Sequence, residues 1–129
     1  MLADSSFEIM KKAGKVVDLE RDVDDSVLRG RIGIGHTRWA THGEPSDINA
    51  HPHLDQTEKF AIIHNGIIEN YTSIKTYLEQ KGVQFSTETD TEVLVQLISF
   101  IYYKNGKSFE KAVCKALKRV IGTYGIIVL

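Results

Sequence analysis

The chain has 129 residues; 42% are hydrophobic, 26% charged and 9% aromatic, and 16 Lys+Arg against 17 Asp+Glu leave a formal net charge of -1. These values describe one ordinary globular domain or part of one, and they argue against a disordered chain, a collagen and a dedicated nucleic-acid binder, which would carry a clustered basic excess. With no run of about 18 apolar residues, no signal-peptide pattern and a single cysteine, Cys114, the chain is expected to avoid membranes and to work in the reducing cytoplasm.

Taken in chain order, residues 7–11 read as a possible short strand and 16–28 as a helix with a ragged apolar face of Val17, Val23 and Leu28. Residues 31–36 alternate, with Ile32 and Ile34 on one side and Gly33 and Gly35 on the other, which predicts a strand that another backbone can approach closely. Residues 37–58 hold both prolines, Pro45 and Pro52, and show no sustained period, so they read as a long loop. Loops beyond about 12–15 residues are uncommon unless functional or disordered. This one contains the only Trp, and four of the five histidines lie in it or beside it, which favours function.

The apolar run 60–64 predicts a strand buried on both faces, ended by an Asn65-Gly66 turn. Asn70 caps a predicted helix over 70–81, with Ile74 and Leu78 inward and Gly82 as its stop. Residues 83–85 read as a short strand. Thr89-Asp90-Thr91-Glu92 has the pattern of a capping box, and the helix it opens places Val93, Leu94, Leu97, Ile98 and Ile101 on one stripe. Asn105-Gly106 ends that helix, Ser108 caps another with Phe109, Val113, Ala116, Leu117 and Val120 inward, and residues 124–129 form a last strand. Strands at both ends with two successive helices between them make the fold class α+β, a sheet covered by a helical layer.

Three segments carry the polar groups from which a site could be built. His36-Thr37-Arg38-Trp39-Ala40-Thr41-His42-Gly43 gathers a guanidinium, an indole, two hydroxyls and two imidazoles behind a strand. Arg38 can grip a carboxylate through two parallel hydrogen bonds, Thr41 can add a third, and Trp39 can exclude water. Taken as structure alone, the same groups would cap neighbouring backbone. In His64-Asn65-Gly66, the Asn65 amide and the Gly66 N–H can form an oxyanion hole; the plain alternative is an Asn-Gly turn. Asp90 can hold an ammonium group, or can simply be the acid favoured at a helix N-terminus.

His36, His42, His51, His53 and His64 fall in one stretch, but no cysteine or His-Glu-x-x-His helix accompanies them, so no metal or other cofactor is expected. His64, inside an apolar strand, reads as a hydrogen-bonded core imidazole. Cys114, on an apolar helix face, reads as a packed thiol rather than a nucleophile.

The run from His36 to Ser46, then Asn49-Ala50-His51-Pro52-His53, His64-Asn65-Gly66-Ile67-Ile68-Glu69-Asn70 and Glu88-Thr89-Asp90-Thr91-Glu92, in this order, resembles the glutaminase domain of the glucosamine-6-phosphate synthases, the isomerizing glutamine–fructose-6-phosphate aminotransferases. The resemblance spans roughly residue 7 to the end and is most specific in the Arg-Trp-Ala-Thr-His-Gly segment. It implies a class II, N-terminal-nucleophile glutamine amidotransferase domain with a four-layer α-β-β-α sandwich. The family hydrolyses glutamine to glutamate and ammonia and delivers the ammonia to fructose-6-phosphate on a separate isomerase part. The implied ligand is glutamine or glutamate, and the implied parent is a homo-oligomer assembled through that part, with no nucleic-acid or membrane partner.

Carried over residue by residue, the resemblance gives Arg38 and Thr41 the glutamine carboxylate, Asp90 its ammonium group, and Asn65 with Gly66 the catalytic oxyanion hole. It places Trp39 in the loop that shields the site and His42 and Gly43 in the lining. The family's nucleophile is an N-terminal cysteine whose own amine serves as base, whereas this sequence opens Met1-Leu2-Ala3. The expectation is therefore a glutaminase domain truncated at both ends and inactive alone. A non-catalytic module that binds glutamine or glutamate is the competing reading.

Overall fold

A computed structural model describes residues 7–23, 30–38, 43–106 and 108–129. Its elements are α1 (Val16–Asp22), β1 (His53–Leu54), β2 (Ala61–Ile68), α2 (Tyr71–Glu79), α3 (Asp90–Lys104), α4 (Phe109–Leu117) and β3 (Gly122–Val128). The strands form one antiparallel sheet in the order β1-β2-β3. β2 is central, with His53 opposite Ile62 on one side and a ladder from Ile62–Val128 to Ile68–Gly122 on the other. α3 packs against β1 and β2, with α2 and α4 as its neighbours in the helical layer.

The core follows from where the branched side chains fall. Ile62 and Ile68 of β2 are buried together with Val93, Leu94, Val95, Leu97, Ile98 and Ile101 of α3, Ile74 and Leu78 of α2, and Ala112 and Ala116 of α4. The two alanines carry no side chain beyond Cβ, which permits a close approach of α4 to α3. Phe109 at the start of α4 stacks on Phe60, with ring centroids 5.8 Å apart and planes at 2°.

α3 buries more than the expected stripe. Every residue from Asp90 to Ser99 is buried, including Gln96 and Ser99, because helices flank α3 on two sides and the sheet lies beneath it. The ends of the helices depart from their expected chemistry. Thr89 accepts from the Glu92 N–H at 3.2 Å, but the Glu92 carboxylate turns to Ser86 and Thr87 instead of reaching back, so only half of a capping box forms. The Asn70 side chain clamps the α4–β3 connection, accepting from the Ile121 N–H at 2.9 Å and donating to the Arg119 carbonyl at 2.8 Å. Ser108 stands at the N-cap of α4 without a side-chain bond. α2 ends at Glu79, two residues short of the expected Lys81, and Gly82, with a left-handed φ of 85°, closes the turn that follows, the Val83 N–H bonding back to the Leu78 carbonyl.

Several expectations are corrected. Residues 7–11, 31–36 and 83–85 form no strand. Alternation makes a strand only where a ladder partner takes up the backbone groups, and Ile32 stays 76% exposed. Residues 7–10 and 30–34 instead line a common cavity with Pro52, Ala61 and Leu129. The helix expected over 16–28 ends at Asp22 with an extended Val23 cap and buries nothing; residues 24–29 lie outside the described ones. Asn65-Gly66 is no turn but sits within β2, and Cys114 is exposed on α4 rather than packed.

Gly66 has a φ of 125°, and a Cβ built on it would overlap the Thr123 carbonyl of β3. Gly66→Ala is therefore expected to fail to fold, read as insoluble expression or loss of a cooperative transition. Ile98→Ala removes a fully buried side chain at the centre of the core and should cost about 2–5 kcal/mol by denaturant unfolding; a loss below about 1 kcal/mol would contradict this account of the core.

Candidate functional site

A cavity of about 320 Å³ opens where the second half of β2, the start of β3, the start of α3 and the segment before residue 39 converge. Its volume is at the lower end of the roughly 300–1,000 Å³ typical of small-molecule sites. Arg38, Asn65, Gly66 and Asp90, drawn from three separate stretches of sequence, all line it. Each reaches the cavity for a local reason. β2 carries Asn65 and Gly66 past the point where its residues cease to be buried. Thr89 starts α3 so that Asp90 occupies the first turn, facing β2.

Arg38 donates from Nη2 to the Gly43 carbonyl and from Nη1 to the Glu44 carbonyl, both at 3.0 Å. These two bonds fix the plane of the guanidinium, which has five N–H donors. The Gly43 carbonyl thus braces Arg38, and Gly43 is not among the described residues that line the cavity. Its φ of 75° and the Asn49 amide 2.8 Å from where a Cβ would sit both require glycine. Trp39, Thr41 and His42 lie outside the described residues.

The floor of the cavity is a buried polar seam. The Asp90 carboxylate, 3% exposed, accepts from the Ile68 N–H at 2.9 Å and lies 4.0 Å from the His64 Nδ1. The Thr91 hydroxyl meets His64 Nδ1 and His51 Nε2, each at 3.0 Å. Above it, the His51 ring packs on the His36 ring with centroids 4.3 Å apart, and His36 Nε2 reaches the Asn65 Oδ1 at 2.7 Å. His64 is therefore the hydrogen-bonded core imidazole expected of it. His36, His51, Thr91 and Thr123 are lining residues that sequence reasoning did not assign. The clustering of histidines was the available signal, but spacing along the chain does not show which rings will pack together. Among the described residues no three of His, Cys, Asp and Glu converge as metal ligands.

Burial pushes His51 down to about 3, and the neighbouring His36, His64, Arg38 and Lys11 act in the same direction. His53 is likewise held at about 3 by burial, with Lys11, His51 and Arg38 behind it. Both rings are thus neutral at pH 7 and act as hydrogen-bonding groups. Burial opposes the charge of Asp55, but donors from Ser99, Thr57, Phe60 and Lys59 outweigh it and hold the carboxyl below its usual range. In the unfolded chain the imidazoles protonate near 6.5, so their contribution to stability is complete above that pH and is lost progressively as pH falls toward 3. The Asp55 contribution is present above the unfolded carboxylate value of about 3.9 and disappears below it. Denaturant midpoints should therefore fall steadily from pH 7 to pH 4.5, before carboxylates titrate, and His53→Gln should flatten that slope. An unchanged slope would remove His53 from the explanation.

The arrangement offers a guanidinium, a carboxylate and a side-chain amide at one cavity, the complement of a zwitterion that also bears a polar side chain. Among the described residues no helix is long and apolar enough to cross a membrane. The model of the glutamine amidotransferase domain matches residues 3–128. The glutamine–fructose-6-phosphate aminotransferase (isomerizing) of Bacteroides thetaiotaomicron is 51% identical over 95% of this chain and 20% of its own length. That of Clostridium acetobutylicum is 46% identical over 98% of this chain and 20% of its own. The chain thus spans about one fifth of the length of the curated relatives it matches. Among solved structures, the glutamine phosphoribosylpyrophosphate amidotransferase of B. subtilis superposes with a TM-score of 0.61 at 30% identity, over 73% of this chain and 20% of that one. An allosteric regulatory enzyme of purine biosynthesis gives 0.62 at 31% identity over the same shares. The α+β fold is accordingly that of the N-terminal-nucleophile amidotransferases, with one helical layer and one sheet of the four-layer sandwich among the described residues. A match over nearly every residue and a fold shared with solved amidotransferases place this chain in the glutamine amidotransferase domain family.

Proposed function

We propose that the chain is the glutamine-binding part of an isomerizing glutamine–fructose-6-phosphate aminotransferase. In that reaction glutamine is hydrolysed to glutamate and ammonia, and the ammonia passes to fructose-6-phosphate to give glucosamine-6-phosphate. The convergence of Arg38, Asn65 and Asp90 on one cavity carries the reading. Arg38 pairs with the α-carboxylate through charge-assisted bonds, and Asp90 takes the α-ammonium. The Asn65 amide and the Gly66 N–H receive the side-chain carbonyl oxygen as it gains negative charge in the tetrahedral intermediate. Thr41, Trp39 and His42 complete the carboxylate grip, the shield and the lining. The parent enzyme works in the cytoplasm as a homo-oligomer held together by its isomerase part.

The nucleophile of this chemistry is an N-terminal cysteine thiol, activated by its own amine. The only cysteine of the sequence, Cys114, is exposed on α4 and does not line the cavity. The 129-residue chain by itself therefore binds glutamine without turning it over. A non-catalytic module for glutamine or glutamate is the second reading, favoured by that same position of Cys114; ammonia release by the purified chain would exclude it.

Calorimetry should show L-glutamine binding to the purified chain, with no ammonia above background. Arg38→Ala should weaken binding by about 1.5–3 kcal/mol, the range for a hydrogen bond to a charged group. Binding of 4-aminobutanamide, which lacks the α-carboxylate, as tightly as glutamine would sink the role given to Arg38.

A further inference from the structure

We propose that His36 is a positioning residue that sets the orientation of the Asn65 side-chain amide and so selects ligands with a side-chain carbonyl; the inference rests on the glutamine reading above. An asparagine amide has a donor end and an acceptor end of nearly equal shape, and an oxyanion hole needs the donor end toward the ligand. His36 Nε2 lies 2.7 Å from Asn65 Oδ1. Its Nδ1 is buried with no hydrogen-bond partner among the described residues. An N–H left unpaired in a buried place costs the full desolvation of a donor, so the proton resides on Nε2 and the lone pair on Nδ1. Nε2–H then donates to Oδ1, and the Asn65 NH2 is turned to the cavity. The reversed amide would set two donors against each other.

The His36 ring is itself held in place. It packs on His51, whose Nε2 meets the Thr91 hydroxyl on α3. Thr91 also meets His64 of β2, the strand that carries Asn65. The amide is thus oriented by a path that runs from the start of α3 through two imidazoles and back to β2. The path meets the Asp90 carboxylate only at its far end, where His64 Nδ1 lies 4.0 Å away; His36 itself meets Asn65 and His51, so its loss acts on recognition of the side chain before that of the two charged ends.

Calorimetry on the chain with L-glutamine and with L-norvaline, which has both charged ends and no side-chain carbonyl, separates these effects. His36→Leu should weaken glutamine about tenfold, the size of one hydrogen bond, and leave norvaline unchanged. His36→Gln, whose amide nitrogen can take the place of Nε2, should restore glutamine to within about threefold. Asn65→Ala should weaken glutamine as His36→Leu does, and the double variant no further. Equal losses for both ligands, or additive losses in the double variant, overturn the inference. Nitrogen-15 spectra of the free chain test the contact without a ligand: Nε2 should carry the His36 proton, and His36→Leu should shift the Asn65 side-chain amide. A proton on Nδ1 overturns the inference directly. Failure of the unsubstituted chain to bind either amino acid overturns the glutamine reading, and the role of Asn65 with it, while the spectra still report whether the contact exists.

Discussion

The first turn of α3 meets the middle of β2 through polar groups almost out of reach of water, and the cavity depends on that seam. Asp90 accepts the Ile68 N–H, Thr91 joins His64 to His51, and Thr89 receives the Glu92 N–H. Burying such groups is favourable only when each finds a partner, since an unpaired one costs about 1–3 kcal/mol. The apolar contacts of Leu94, Leu97 and Ile98 with the sheet and neighbouring helices drive α3 inward but tolerate sliding. The hydrogen bonds do not, because a shift of one residue along β2 would turn every side chain to the other face. The polar seam therefore converts a general hydrophobic attraction into one register.

Two further buried carboxylates extend this logic to the loops. Glu92 binds the backbone and hydroxyls of Ser86 and Thr87, and Asp55 binds those of Thr57 with the N–H groups of Lys59 and Phe60 and the Ser99 hydroxyl. The chain on either side of α3 and β1 is thereby tied down without regular structure of its own. Backbone groups that lack a ladder must find side-chain partners instead. The cavity remains open at the one end where β2 emerges from the core, with Gly66 keeping β3 close.

The long apolar segments were legible from the residues. α2, α3 and α4 stand where periodicity places them, and β2 and β3 overlap the apolar runs near 60–64 and 124–129. Segments whose fate depends on a partner were not. Residues 31–36 alternate as a strand does, yet whether alternation becomes a ladder depends on another strand alongside, which no local pattern encodes. Asn65-Gly66 has the composition of a turn, but the close approach of Thr123, 57 residues further along the chain, makes glycine necessary inside a strand. Asn70 and Glu92 are good capping residues by type. Asn70 serves distant backbone at Arg119 and Ile121 instead, and Glu92 the loop just before α3, since a bond that ties down an otherwise unpaired segment can replace a local cap of similar worth.

Arg38, Asn65 and Asp90 are each ambiguous by themselves; the motif resemblance is what relates them in the sequence, and the fold brings all three to one cavity. The chemical types at those positions, the buried helix and the family are properties of the sequence, because composition, period and motif are local and additive. The tertiary structure alone decided that Gly43 holds Arg38 from behind, that the histidines form a ladder of rings and hydroxyls, and that His36 meets the Asn65 amide. Each of these is a contact between residues from different elements. Its existence depends on packing that brings distant stretches within about 3 Å, the range in which hydrogen bonds act.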